Sequence, residues 1–206
     1  MKNVSLIPFT TTLEKRFNAQ LKKIYVGQSV MKKRRPILNN INVTDNGNVQ
    51  ITNGYVGVQL ANTSATPSEL EGYPGMTRLF EVDYNQVDHA TMIFWEDLKL
   101  LEDHLNVIYK HKVDTVKITL SNKGITIENK DRHNMDTFLK SEIVTDILIE
   151  NDRSFNINPR FLHDCLMFFR QIYKKGYHIV VWTYQDNLIR FTYQDLTYII
   201  ATKRSS

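Results

Sequence analysis

The chain has 206 residues, of which 42% are hydrophobic and 23% charged. That is enough for a sizeable core in one large domain or two small ones, and its ten Phe, ten Tyr and two Trp argue against disorder except at the termini. A formal net charge of +4 leans towards polyanionic partners, with a basic protein that has no nucleic-acid role as the alternative.

Three amphipathic helices are predicted, each followed by a β pattern. The first spans Leu13 to Val26, capped by Thr11 or Thr12 and ended by Gly27. Leu13, Phe17, Leu21, Ile24 and Tyr25 form its apolar side, with Lys15, Arg16, Lys22 and Lys23 opposite. Lys32-Lys33-Arg34-Arg35 then makes a cationic loop. Ile41 to Val43 and Val49 to Ile51 alternate around the turn Asp45-Asn46-Gly47, and a strand from Tyr55 to Leu60 follows. Asn62 to Gly75, rich in Ser, Thr, Pro and Gly, reads as a surface loop, and Arg78 to Tyr84 as one more strand.

The second helix spans Trp95 to Tyr109, with Leu98, Leu101, Leu105 and Ile108 as its stripe and Glu96, Lys99, Glu102 and Asp103 outside. Strands are predicted at Val116 to Leu120, Ile125 to Ile127 and around Phe138-Leu139. Asn158 caps the third helix and Pro159 opens it. Its apolar face is Phe161, Leu162, Cys165, Leu166, Phe169, Ile172 and Tyr173, and Gly176 stops it. Arg160, His163, Arg170 and Lys174 fall within about 80° of one another on the other side. Strands at Ile179 to Tyr184, Leu188 to Tyr193 and Leu196 to Ala201 close the pattern.

Each helix also has a β-like lead-in: Val4 to Phe9, Thr91 to Phe94 and Ser154 to Ile157. The repeating unit is therefore a strand, a helix and three antiparallel strands, present three times. The helix starts lie about 82 and 64 residues apart, a degenerate structural repeat rather than a solenoid. The expected fold class is α+β, with antiparallel sheets covered by helices on one face. The expected division is 1–148, holding two units, and 149–206, holding a third that packs on it or pairs with another chain.

This unit resembles half of a domain of the DNA sliding clamps, the polymerase processivity factors. Arg35-Pro36-Ile37-Leu38-Asn39 with the strand that follows and Gly54-Tyr55 looks like the clamp stretch in which Arg-Pro-Ile/Val-Leu precedes a hairpin. Phe155-Asn156-Ile157-Asn158-Pro159-Arg160-Phe161-Leu162 is similar to the Phe-Asn-x-x-Tyr-Leu lead into the last helix of bacterial clamps. Tyr198-Ile199-Ile200-Ala201-Thr202-Lys203-Arg204 stands where those clamps carry Tyr-Val-Val-Met-Pro-Met-Arg. Bacterial clamps have six half-units per chain and archaeal or eukaryotic ones four, against three here, and clamps are usually acidic. The resemblance thus implies a divergent, shortened clamp of phage or mobile-element type, or a clamp derivative that no longer closes a ring.

What the resemblance implies for function is a non-catalytic, DNA-associated oligomer. In clamps the helices face the DNA backbone, where Lys and Arg supply sequence-independent attraction to phosphate. The residues in that role here are Lys15, Lys22, Lys23, Arg160, Arg170 and Lys174, joined by Lys32, Lys33, Arg34 and Arg35 in the loop. The same charges also fit an ordinary solvated face. Tyr198, Ile199, Ile200 and Arg204 match the strand that helps form a partner groove, so a polymerase or clamp loader is an expected partner. The rival reading is a clamp-like interaction module that binds or interferes with a replication protein.

Signatures of catalysis and cofactor binding are missing from the sequence: no phosphate-binding glycine loop, no paired-His zinc spacing and no nucleophile elbow. Cys165 belongs to the apolar face of the third helix, which suits a core thiol rather than a nucleophile. Asp131, His133 and Asp136 read as a polar hairpin loop rather than a metal site. The lone cysteine rules out a disulfide framework, the N-terminal stretch lacks the long apolar core of a signal peptide, and no apolar run nears a membrane span. No membrane association and a cytoplasmic location are the corresponding expectations.

Overall fold

A computed structural model describes residues 11–26, 35–68, 70–81, 89–111, 113–130, 138–143, 152–173, 179–185 and 187–203. Helix α1 covers Thr12–Val26. Its start is a reciprocal cap: the Thr11 N–H donates to Glu14 Oε2 at 2.7 Å and the Glu14 N–H to Thr11 Oγ1 at 3.1 Å. Glu14 is itself buried, and its carboxylate also accepts the Ser64 N–H at 2.7 Å, so charge is held inside by hydrogen bonds. Strands β1 (Asn42–Val43), β2 (Val49–Thr52) and β3 (Val56–Leu60) complete unit one. Gly47 turns β1 into β2 at φ +73, where a Cβ would stand 2.9 Å from the Thr63 carbonyl oxygen, so this turn requires glycine.

The segment expected as a strand from Arg78 is instead a one-turn helix, α2 (Thr77–Phe80). A helical turn brings Met76 and Phe80, four apart, to the same side while Arg78 stays exposed. An extended chain would have turned Arg78 inward with them. Residues 82–84 of that expected strand lie outside the described residues.

Unit two consists of β4 (His89–Phe94), α3 (Trp95–Lys110), β5 (Val116–Ser121), β6 (Gly124–Lys130) and β7 (Phe138–Ile143). Unit three consists of β8 (Arg153–Ile157), α4 (Pro159–Ile172), β9 (Ile179–Gln185), β10 (Leu188–Tyr193) and β11 (Leu196–Ala201). Asn158 Oδ1 accepts the Arg160 N–H at 2.9 Å and so caps α4. The lead-in Val4 to Phe9 and the loop Asp131 to Asp136 lie outside the described residues.

The strands form a seven-stranded sheet, in order β1-β2-β3-β11-β10-β9-β4, and a four-stranded one, β7-β6-β5-β8. All pairings are antiparallel. Units two and three exchange their lead-in strands. β4 pairs with β9, Phe94 opposite Ile179, and β8 pairs with β5, Ile157 opposite Val116. Unit one joins through β3 and β11, Val58 opposite Tyr198. Among the described residues no strand of unit one pairs with unit two. A division after residue 148 therefore cuts across the exchanged strands.

One apolar core runs under both sheets and the three long helices. In β5, Val116, Ile118 and Leu120 point into it while Lys117 is exposed, the period-two signature of a sheet with one covered face. In β11 Leu196, Tyr198 and Ile200 join this core, whereas Ile199 faces the other way. Cys165 is fully buried in α4, and burial, reinforced by Asp164, pushes its thiol well above the usual range. Alkylation of the native protein is therefore expected to be slow and to accelerate across the unfolding transition. Prompt labelling without denaturant would contradict that burial.

Candidate nucleic-acid interface

The helices are stacked side by side, α3 on α4 and α1 on α4. Their outward faces decide which cations a polyanion could meet. On α1, Lys15 and Arg16 are exposed, and no acidic residue shares that face, because Glu14 is turned inward. Arg16 does a second job: its Nη1 donates to the Ile172 carbonyl at 3.1 Å, satisfying one of the unpaired carbonyls at the end of α4. Lys22 and Lys23 lie within α1, but their side chains are outside the described residues, as are Lys32, Lys33, Arg34 and Lys174. Arg35 is exposed just before a short 3-10 helix, Pro36–Asn39.

On α4 the cations are not free. Arg160 is exposed with its Nε 3.8 Å from the Asp164 carboxylate one turn on, a surface pair of little strength. Arg170 forms an ion pair with Glu102 of α3, whose side chain is only 8% exposed. Its charge is thus consumed by the helix packing, and the expectation that it faces DNA gives way to a structural role. Rotation about one helix axis correctly collected Arg160, His163 and Arg170, yet α4 has a neighbour on each flank, so its open sector is narrower than the polar arc. Asp164, missed in the basic reading, sits within that sector. The signal was in the sequence, since Asp164 follows Arg160 by four positions.

The outward face of α3 is mixed, as expected, with exposed Glu96, Lys99, Asp103 and Lys110. It also exposes Leu100 and Val107. Glu102, expected on that face, is buried at the α3–α4 contact. Two ring stacks border the helix layer: Tyr55 on Phe161, with centroids 5.9 Å apart, and Tyr109 on His163 at 6.1 Å.

The candidate partner strand is closed. Tyr198 and Ile200 are in the main core, and burial pushes the Tyr198 phenol well above its usual range. Ile199, on the outer face, lies beneath Met76 and Phe80 with Tyr73 packed against them. Gly57 makes this approach possible, since a Cβ there would come within 2.6 Å of Met76 Cε. The Arg190 Nε anchors the covering segment by donating to the Leu79 carbonyl at 2.7 Å. So Tyr198, Ile199 and Ile200 present no open groove, and Arg204 is outside the described residues. Among the described residues there is no group of three or more His, Cys, Asp or Glu placed to hold a metal ion, and no helix is long and apolar enough to cross a membrane.

No protein-family model matches the sequence, and no curated protein matches it. Solved structures do match, over the whole chain. The DNA polymerase sliding clamp from Bacillus subtilis aligns with 100% of this chain and 67% of its own, at a TM-score of 0.69 and 12% identity. The sliding clamp from Caulobacter crescentus gives 100%, 68%, 0.69 and 11% in the same order. The DNA polymerase III beta chain from Streptococcus pneumoniae gives 100%, 67%, 0.67 and 17%. The chain spans about two thirds of the length of these proteins, from 65% in the Borrelia burgdorferi structure to 68% in the Caulobacter one. The backbone arrangement of this chain, from first unit to last, is the sliding-clamp fold.

Proposed function

We propose that this protein is a non-catalytic, clamp-like factor that binds duplex DNA through its backbone, self-associates, and serves replication as a processivity or accessory factor. The observation that carries the reading is the exposed side of α1, where Lys15 and Arg16 stand with no acidic residue of the helix on the same face, on a fold shared along the whole of this chain with sliding clamps. Such contacts attract phosphate without reading bases, which is what a protein that travels along DNA requires. Among the described residues of this surface the open cations are on α1 and at Arg35, with Arg160 partly answered by Asp164, so the surface is narrower than two fully basic helices. A DNA polymerase or clamp loader is the proposed protein partner.

The test is duplex binding as a function of salt, comparing the parent with Lys15→Glu/Lys22→Glu/Lys23→Glu. Expected is a loss of roughly tenfold or more in affinity at low salt, and a salt slope lower by about one for each lysine that touches phosphate. Unchanged affinity and slope would sink the assignment of α1 to DNA. One observation favours the second reading, a clamp-like module that binds a replication protein: the charges on α4 are answered by Asp164 and Glu102. Stable capture of a polymerase or clamp-loader subunit by a chain that ignores duplex DNA would select it.

A further inference from the structure

Among the described side chains the exposed aromatic rings are Tyr55 and Tyr109, at 45% and 49%. Both meet the same stretch of α4. Tyr55 stacks on Phe161, and Tyr109 stacks on His163, two positions further along. At about 100° per residue those positions lie on opposite flanks of α4, and Arg160 falls between them. The two tyrosines are therefore set apart by the width of a helix, about 10–12 Å.

Local structure fixes each ring. Tyr55 ends the turn from β2 to β3, where Asn53 Oδ1 accepts the N–H groups of Tyr55 and Val56 at 2.9 Å each. The Tyr55 carbonyl accepts the Ala201 N–H at 2.9 Å. Tyr109 stands in the last turn of α3, which runs antiparallel to α4, since Glu102 meets Arg170 and Tyr109 meets His163. Both rings thus belong to one end of the helix layer. Lys110, Arg160 and Lys203 are exposed at that end, against Asp114 and Asp164. Arg160 is tied to Asp164 only by a long surface pair, 3.8 Å, which a phosphate can outcompete. Paired bases in a duplex are already stacked and offer these rings no face. Unpaired bases do, and each base has a π-face that an aromatic side chain can cover.

We infer that Tyr55 and Tyr109 form a stacking site for unpaired bases of single-stranded DNA lying across the first turn of α4, with Arg160 on the phosphate between them. The site rests on the DNA-binding reading above and deepens it, by placing the single-stranded part of a partly unpaired substrate at this end of the helix layer. Stacking accepts any base, so the contact reads no sequence.

The test is fluorescence anisotropy of the full chain with labelled oligothymidylate and, separately, with a blunt duplex. The parent is expected to bind oligothymidylate. Tyr55→Ala and Tyr109→Ala should each weaken that binding by roughly tenfold while leaving duplex affinity within about twofold. Tyr55→Phe and Tyr109→Phe keep the ring and should bind as the parent does. The factor lost on removing a ring should be the same at low and high salt, because stacking releases no counterions. Both side chains are exposed, so the fold should survive each change, and equal urea midpoints check that it does. A parent that ignores oligothymidylate, alanine variants that bind it as well as the parent, or phenylalanine variants as weak as the alanine ones would each overturn the site. An equal loss on the duplex would overturn it too, since the rings would then serve the phosphate surface. Lysine-dependent duplex binding together with ring-independent single-strand binding would remove the site and leave the duplex reading standing. Ring-dependent single-strand binding by a chain that ignores duplex would support the site alone.

Discussion

Replacing Arg170 by alanine is expected to lower the stability of the fold by about 2 kcal/mol while leaving the salt dependence of duplex binding unchanged. Arg170 pairs with Glu102 across the α3–α4 contact, and the Glu102 side chain is 8% exposed. Removing the guanidinium strands a carboxylate in a place that water barely reaches. A fully buried pair broken in this way costs about 3–5 kcal/mol, and the smaller figure reflects the 31% exposure of Arg170, which lets solvent screen part of the loss. Urea denaturation reads this as a lower midpoint at constant slope. The double variant Glu102→Leu/Arg170→Leu is expected to recover much of the loss, because an apolar pair of similar bulk leaves no uncompensated charge. A stable Arg170→Ala variant with weakened DNA binding would return Arg170 to the DNA-facing set.

The contrast between Arg170 and Lys15 marks how far sequence reasoning reaches. Periodicity placed all three long helices, because an amphipathic stripe such as Leu98, Leu101, Leu105 and Ile108 survives only on a helix packed along its length. Turn chemistry placed the hairpins: Gly47 has the positive φ that Asp45-Asn46-Gly47 announces. The exchange of β4 and β8 between units two and three left no local trace, since a strand's hydrophobic pattern records that it is covered and not by which unit. The same blindness affected the candidate site. Arg160, Arg170 and Lys15 look equivalent on helical wheels, yet the choice between solvent, Asp164 and Glu102 depends on which helix lies alongside. Tyr198, Ile199 and Ile200 suggested a partner strand through their likeness to the Tyr-Val-Val stretch of clamps, an apolar run that is continuous rather than alternating. That continuity instead reflects cover on both faces, from the core on one side and Met76 and Phe80 on the other.

The largest single loss is expected from Phe168→Ala, about 3–5 kcal/mol. The Phe168 ring stands edge-on to Phe17 of α1, with centroids 5.7 Å apart, and to Tyr198 of β11 at the same separation. It therefore ties the helix of unit one to both the helix and the last strand of unit three. All three rings are nearly or wholly buried, so truncation leaves a cavity and discards two aromatic contacts. Against a typical domain stability of about 5–15 kcal/mol this is a substantial fraction of the whole. The loss should also be uneven. Beyond the Phe17 contact, α1 is held to α4 by the Arg16 bond to the Ile172 carbonyl, whereas β5 and β6 lie in the other sheet, locked by their own ladder. Amide exchange in Phe168→Ala is expected to accelerate in α1 by at least about tenfold more than in β5 and β6, as local opening around the lost ring requires. Equal acceleration in both places would show that unit one is not separately hinged on this ring and that the molecule opens only as a whole.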